Sequence, residues 1–239
     1  MDKSWLNRPW AELATFLALG LFACLSLFLY SIVLNHSIAF PYLVINLFLA
    51  LVPLLLSWRL GVSLRHRRWS DWEPLLLTFL WLLFLPGSFY VLSDFIHLQL
   101  TLSSTILYDT TLFSAFVFVS MFMGFASLYQ VHSELKKRIR PLSATLIMIV
   151  VLLGCSFALY LGRDLRWDSW DIVVNPGALL FDISNVLLKP SNYSYMARTV
   201  FSFFIFIGVT YALVFRAARL QWKRGASDLA ARIKRDQHS

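Results

Sequence analysis

The chain alternates between apolar runs and short polar connections. The runs fall at about 11–34, 38–58, 75–98, 108–131, 142–162 and 195–215. Each is near the ~20 residues that a helix rising about 1.5 Å per residue needs to cross a hydrocarbon core. The pattern predicts an all-α fold class, a polytopic membrane helical bundle of six transmembrane helices forming a single integral membrane domain over 1–239. A shorter run, Ala178 to Leu188, follows Asn175-Pro176-Gly177 and is interrupted by Asp182, Ser184 and Asn185. It is too short to span and predicts an interfacial or re-entrant helix, serving as a lid over a site or as a packed connector. The tail 216–239 mixes many basic residues with Leu220, Trp222, Leu229 and Ile233. Such a tail either lies on an anionic leaflet as a helix or is a solvated basic segment.

Composition supports the membrane reading. The chain has 239 residues, 59% of them hydrophobic and 14% charged, with a mean hydropathy of +0.67. A soluble domain carries about 25% charged residues. Cys24 and Cys155 both lie inside apolar runs, which points to buried, inert thiols rather than a disulfide framework. The first run lacks a small-residue cleavage pattern and is long enough to span, so it reads as a helix rather than a removable leader.

The net charge of +8 does not indicate nucleic acid, because the basic residues hug the ends of the apolar runs. Lys3 and Arg8 precede the first span. Arg59, Arg65, Arg67 and Arg68 follow the second, and Lys136, Lys137, Arg138 and Arg140 follow the fourth. Arg216, Arg219, Lys223 and further cations follow the sixth. Six spans put all of these on one side and leave only Arg163, Arg166, Lys189 and Arg198 on the other. The asymmetry predicts both termini in the cytoplasm, and the expected partners are membrane lipids.

Polar residues inside the spans carry the candidate chemistry. Pro53 in the second span and Pro86-Gly87 in the third predict kinks, since proline removes a backbone donor and clashes with the preceding turn. Beyond Pro86-Gly87 come Asp94 and His97, near the extracytoplasmic end of the third span, and Asp109 opens the fourth. Lipid tolerates neither broken backbone nor bare carboxylate unless protein or a water-filled cavity surrounds it. Asp94 and His97 are three apart and share a helix face. They can form an aspartate–imidazole pair for proton handling, supply two ligands of a metal site that needs a third, or simply lock helix packing. Asp109 is a supporting carboxylate in the catalytic reading. His132 lies about 34 Å along the same helix from Asp109, which excludes a shared metal site and suggests an interfacial residue beside Lys136 and Lys137. No metal or cofactor is expected.

The loop after the fifth span reads Gly162-Arg163-Asp164-Leu165-Arg166-Trp167-Asp168-Ser169-Trp170-Asp171. Arg163 and Arg166 lie on the weakly basic side, so orientation does not account for them. Guanidinium forks bind carboxylates and phosphates in two-pronged fashion. They pair either with Asp94, Asp109, Asp164 or Asp168, or with a phosphorylated lipid headgroup. With Trp167, Trp170, Asp171, Tyr90 and Ser93 they form the candidate ligand-binding set; the tryptophans also serve as interface anchors.

Two segments carry a family resemblance. Leu83-Phe84-Leu85-Pro86-Gly87-Ser88-Phe89-Tyr90-Val91-Leu92-Ser93-Asp94-Phe95-Ile96-His97-Leu98 is similar to the signature of a bacterial membrane family catalogued as domain of unknown function 1361. Its usual form is Leu-Phe-x-Pro-Asn-x-x-Tyr-x-x-Thr-Asp-x-x-His-Leu. Gly162-Arg163-x-x-Arg166-Trp167-x-Ser169-Trp170-Asp171 matches a second signature. Gly87 stands for Asn, Ser93 for Thr and Asp168 for Asn. The resemblance implies a multi-pass protein of the bacterial cytoplasmic (inner) membrane and supplies no activity. Ser93, His97 and Asp109 also loosely resemble part of the pattern of membrane hydrolases that include alkaline ceramidases. Those need a His-x-x-x-His pair in a late helix, and the last span has no histidine.

Three functional expectations remain. The protein binds or processes an extracytoplasmic lipid or envelope ligand in a polar pocket; it is a non-enzymatic membrane interaction or assembly protein; or it is a small-solute transporter.

Overall fold

The computed structural model describes residues 4–35, 40–100, 105–165, 167, 174–188 and 190–236. Helices α1 (Ser4–Asn35), α2 (Pro41–Ser63) and α3 (Trp72–Phe84) are followed by the short α4 (Gly87–Tyr90) and a 3-10 segment, Val91–Leu100. Then come α5 (Ile106–Lys136), α6 (Pro141–Asp164), α7 (Pro176–Leu188) and α8 (Pro190–Asp236). No strand occurs among the described residues. Six helical stretches are long and apolar enough to cross a membrane: Leu13–Val33, Pro41–Ser63, Trp72–Leu98, Ile106–Lys136, Pro141–Asp164 and Tyr193–Ala217. The chain is therefore a multi-pass integral membrane protein. Its lipid-facing sides expose large apolar residues such as Phe16, Phe22, Phe118 and Leu142.

Helix α5 is the axis of the bundle, and α1, α2, α4, the 3-10 segment, α6 and α8 all pack against it. Helices α2 and α5 run parallel in constant register. Phe40 meets Phe113, the Pro53 carbonyl accepts from Ser127, Ser57 donates to Gln130, and the Leu64 carbonyl accepts from Arg138. The hydrogen-bonded partners along this seam are 73 or 74 residues apart throughout. Ser127 keeps the α5 side of the seam small at Pro53, and small residues let helix backbones approach closely. A Cβ on Gly124 would sit 2.8 Å from the Ser88 side chain and 2.9 Å from the Phe89 ring, so glycine is required where α4 crosses α5. Trp81 is buried in this region and donates from Nε1 to Ser127 Oγ at 2.6 Å, and Ser127 Oγ donates onward to the Pro53 carbonyl at 3.0 Å.

The two prolines act differently. Helix α2 continues through Pro53, whose carbonyl accepts the Ser127 hydroxyl. At Pro86-Gly87 the third span breaks, and after the single turn of α4 it tightens into the 3-10 segment. Nothing lies within 4 Å of a Cβ built on Gly87, so the break is the work of Pro86 rather than of a crowded glycine.

The short run before the last span is helical, as expected. Leu179 and Val186 of α7 are buried, Val186 packing with Tyr160, Met196 and Val200, while Leu180, Phe181 and Leu188 are exposed. Helix α8 runs on to Asp236. At 47 residues it is about 70 Å long, so its second half extends past the hydrocarbon. Cys24 and Cys155 are buried and unbridged.

Candidate functional site

The 3-10 segment has three residues per turn, so Val91, Asp94, His97 and Leu100 fall in one column. Asp94 and His97 share a face as the spacing predicts, yet each takes a partner from another helix. Asn46 on α2 donates from Nδ2 to Asp94 Oδ2 at 2.9 Å. Asp94 is 2% exposed, so that amide replaces the water a carboxylate would otherwise hold. His97 Nε2 lies 3.4 Å from both Nη1 and Nη2 of Arg163, at the end of α6. Asp94 and His97 are thus each held by a cross-helix contact, the first to α2 and the second to α6.

Arg163 makes no ion pair within 4 Å among the described residues; Asp168, one of the four acids open to it, lies outside them. Arg163 remains within electrostatic reach of Asp94 and Tyr42. A guanidinium has donors only, so the imidazole meets it with the Nε2 lone pair and carries its own proton on Nδ1. Behind His97 stands Tyr42, with ring centroids 5.1 Å apart. The Tyr42 hydroxyl is buried and has no hydrogen-bond partner among the described residues. Sequence reasoning missed Tyr42 and gave Asn46 no role. Their spacing of four on α2, which puts both on one face, was the available signal.

The other candidates fall around this core or outside it. Tyr90 Oη donates to the Gly162 carbonyl at 3.5 Å. A Cβ on Gly162 would meet the Tyr90 ring at 3.1 Å and the Trp167 carbonyl at 3.3 Å, so a glycine beside Arg163 lets α4 and the end of α6 close together. Ser93 spends its hydroxyl on its own helix, donating to the Tyr90 carbonyl at 2.7 Å. Trp167 donates from Nε1 to Asp182 Oδ2 at 3.1 Å, tying the end of α6 to α7. Asp109 is 2% exposed, and its Oδ1 has no hydrogen-bond partner among the described residues. Arg166, Asp168, Trp170 and Asp171 lie outside the described residues. Among the described residues no group of three or more His, Cys, Asp or Glu side chains is placed to hold a metal ion, so the third ligand the spacing called for is not supplied there.

The two signature segments therefore meet in space: Tyr90 and His97 of the first contact Gly162 and Arg163 of the second. The profile described as protein of unknown function (DUF1361) matches residues 45–210. The chain belongs to the DUF1361 family. No curated protein and no solved structure matches it. The DUF1361 region begins within α2 and ends within α8. It includes Asn46, Asp94, His97 and Arg163 but leaves out α1 and Tyr42.

His132 differs from its expected interfacial setting. It is 3% exposed, its Nδ1 lies 2.7 Å from the Tyr211 hydroxyl on α8, and its ring stacks on Phe215 at 4.5 Å. The side chain packs α5 against α8 near the basic face of the bundle.

Proposed function

We propose that this DUF1361 protein binds the anionic group of a lipid or cell-envelope ligand at the extracytoplasmic side of a bacterial inner membrane, with both termini cytoplasmic. Arg163 is the primary contact, the Tyr42 hydroxyl a second donor, and His97 the group that holds the guanidinium in place. Asp94, fixed by Asn46, supplies the buried counter-charge. Arg166, Trp167, Trp170 and Asp171 are further candidate ligand contacts, and Asp109 is a supporting carboxylate. The observation that carries this reading is Arg163 itself: a partly exposed guanidinium at the end of a span, held by a neutral acceptor and, among the described residues, paired with no carboxylate within 4 Å. A cation placed there is costly unless something answers its charge.

The test purifies wild type, Arg163→Ala and His97→Ala in one detergent and compares melting temperature with the mass spectrum of co-purified lipids and small molecules. Arg163→Ala is expected to keep its melting temperature and lose an anionic species. An unchanged complement in Arg163→Ala overturns the proposal.

A second reading, a non-enzymatic interaction or assembly protein, is favoured by the Asn46–Asp94 bond, which already satisfies the carboxylate inside the bundle. On that reading, Arg163→Ala and His97→Ala both melt early with their co-purified molecules unchanged.

A further inference from the structure

At the opposite end of the bundle, the α2–α3 and α5–α6 connections bring many cations beside few acids. The acids there are already committed. Glu73 holds Arg59 at 2.7 Å and Arg67 at 3.0 Å. Glu134 holds Lys137 at 2.5 Å and Arg138 at 2.6 Å. Asp71 accepts the backbone N–H of Arg68. Arg138 also donates from Nη2 to the Leu64 carbonyl at 2.9 Å and lies over the Trp69 ring. This one side chain therefore ties the two connections together. What remains are Arg65, Arg68 and Arg140, three exposed guanidinium groups from two tethered connections, with no ion-pair partner within 4 Å among the described residues.

We infer that the tethered α2–α3 and α5–α6 connections form a binding site for the headgroup of an anionic phospholipid in the adjoining leaflet, with Arg65, Arg68 and Arg140 as the phosphate contacts. The charges sit where headgroup phosphates lie, at the ends of apolar spans, and basic clusters between helices at this level recognise anionic lipids. Exposed apolar side chains flank them on the hydrocarbon side. Trp58 and Trp72 are exposed near the ends of α2 and α3, as interface rings are, and Leu75 and Leu142 are exposed one turn or less into α3 and α6. A soluble polyanion would find only the charges, whereas a phospholipid meets both the charges and the apolar flank. The first turn of α6 contains no acidic residue and its N-cap makes no side-chain hydrogen bond, which leaves that corner electropositive.

The test measures lipids retained by the full chain in native mass spectrometry, after reconstitution in equal phosphatidylglycerol and phosphatidylcholine. Wild type is expected to keep phosphatidylglycerol in preference. The triple variant Arg65→Ala, Arg68→Ala, Arg140→Ala is expected to lose that preference, with retention falling by up to about a hundredfold, since each basic side chain at an anionic surface contributes about a fivefold factor. The triple variant Arg65→Lys, Arg68→Lys, Arg140→Lys keeps the charge and is expected to keep most of the preference, which guards against a folding defect. Arg198→Ala, which removes a cation from the other end, is expected to bind as wild type. Undiminished phosphatidylglycerol retention in the alanine triple overturns the inference. So does an equal loss in Arg198→Ala, or complete displacement of the lipid by excess inorganic phosphate.

Discussion

Arg163 and His97 meet through a shared imidazole nitrogen: Nη1 and Nη2 of the arginine are each 3.4 Å from Nε2 of the histidine. Because the guanidinium only donates, the contact fixes the tautomer. In 15N NMR of selectively labelled protein, His97 is expected to show an unprotonated Nε2 and a protonated Nδ1, and Arg163→Gln is expected to relax that bias. An Nε2-protonated ring in wild type would rule the contact out.

The Asn46–Asp94 bond is a partly buried hydrogen bond to a buried acidic side chain, and losing its donor removes the amide that this carboxylate accepts from. Asn46→Ala is expected to destabilise the protein by about 1–3 kcal/mol, read from unfolding in mixed detergent. Asp94→Asn keeps an oxygen acceptor at that position and is expected to cost less than Asp94→Leu. A double-mutant cycle between Asn46→Ala and Asp94→Ala should show clear coupling; additive effects would mean the bond contributes nothing.

The glycine at the α4–α5 crossing makes a sharp steric prediction. Gly124→Ala drives a methyl group into Ser88 and Phe89 and is expected to cost about 1–3 kcal/mol. Gly154 and Gly208, also within helices, have nothing within 4 Å of a built Cβ. Alanine at either is expected to be neutral or to stabilise by up to about 1 kcal/mol. The comparison needs only three melting curves, and equal losses at all three positions would refute the packing argument.

Reporter fusions address orientation. A fusion after Arg68 or Arg140 is expected to report cytoplasm, and one after Ser191 the exterior. The reverse pattern would invert the assignment of the Arg163 end to the outside.

The spans were legible because lipid leaves a chain few choices. An apolar run near twenty residues with cations at one end must cross as a helix, so the expected run 142–162 and the observed span Pro141–Asp164 differ by a residue or two. The break at Pro86-Gly87 was legible for the same reason, as a local backbone chemistry. The partners were not. Asn46 lies 48 residues from Asp94, and His132 lies 79 from Tyr211. Periodicity says which residues share a face but not which face of another helix it meets. Asp94 and His97 do share a column, as the spacing implied, but the spacing could not name Asn46 and Arg163 as the partners that α2 and α6 bring to it. Tyr42 escaped notice because a tyrosine at the start of a span reads equally well as an interface anchor.

Helix α1 lies outside the matched DUF1361 region, packs chiefly on α5, and has only 11% of its apolar window buried. Its attachment rests on the Tyr108 hydroxyl donating to the Leu27 carbonyl, on the Phe28–Phe116 edge contact and on the close approach of Gly20 to Val119. In a bilayer, prising such a helix away trades one greasy neighbour for another, with no hydrophobic penalty to oppose it. The first span is thus an outrigger on the edge of the bundle, and the other five supply the residues of the Asn46–Asp94 and His97–Arg163 contacts.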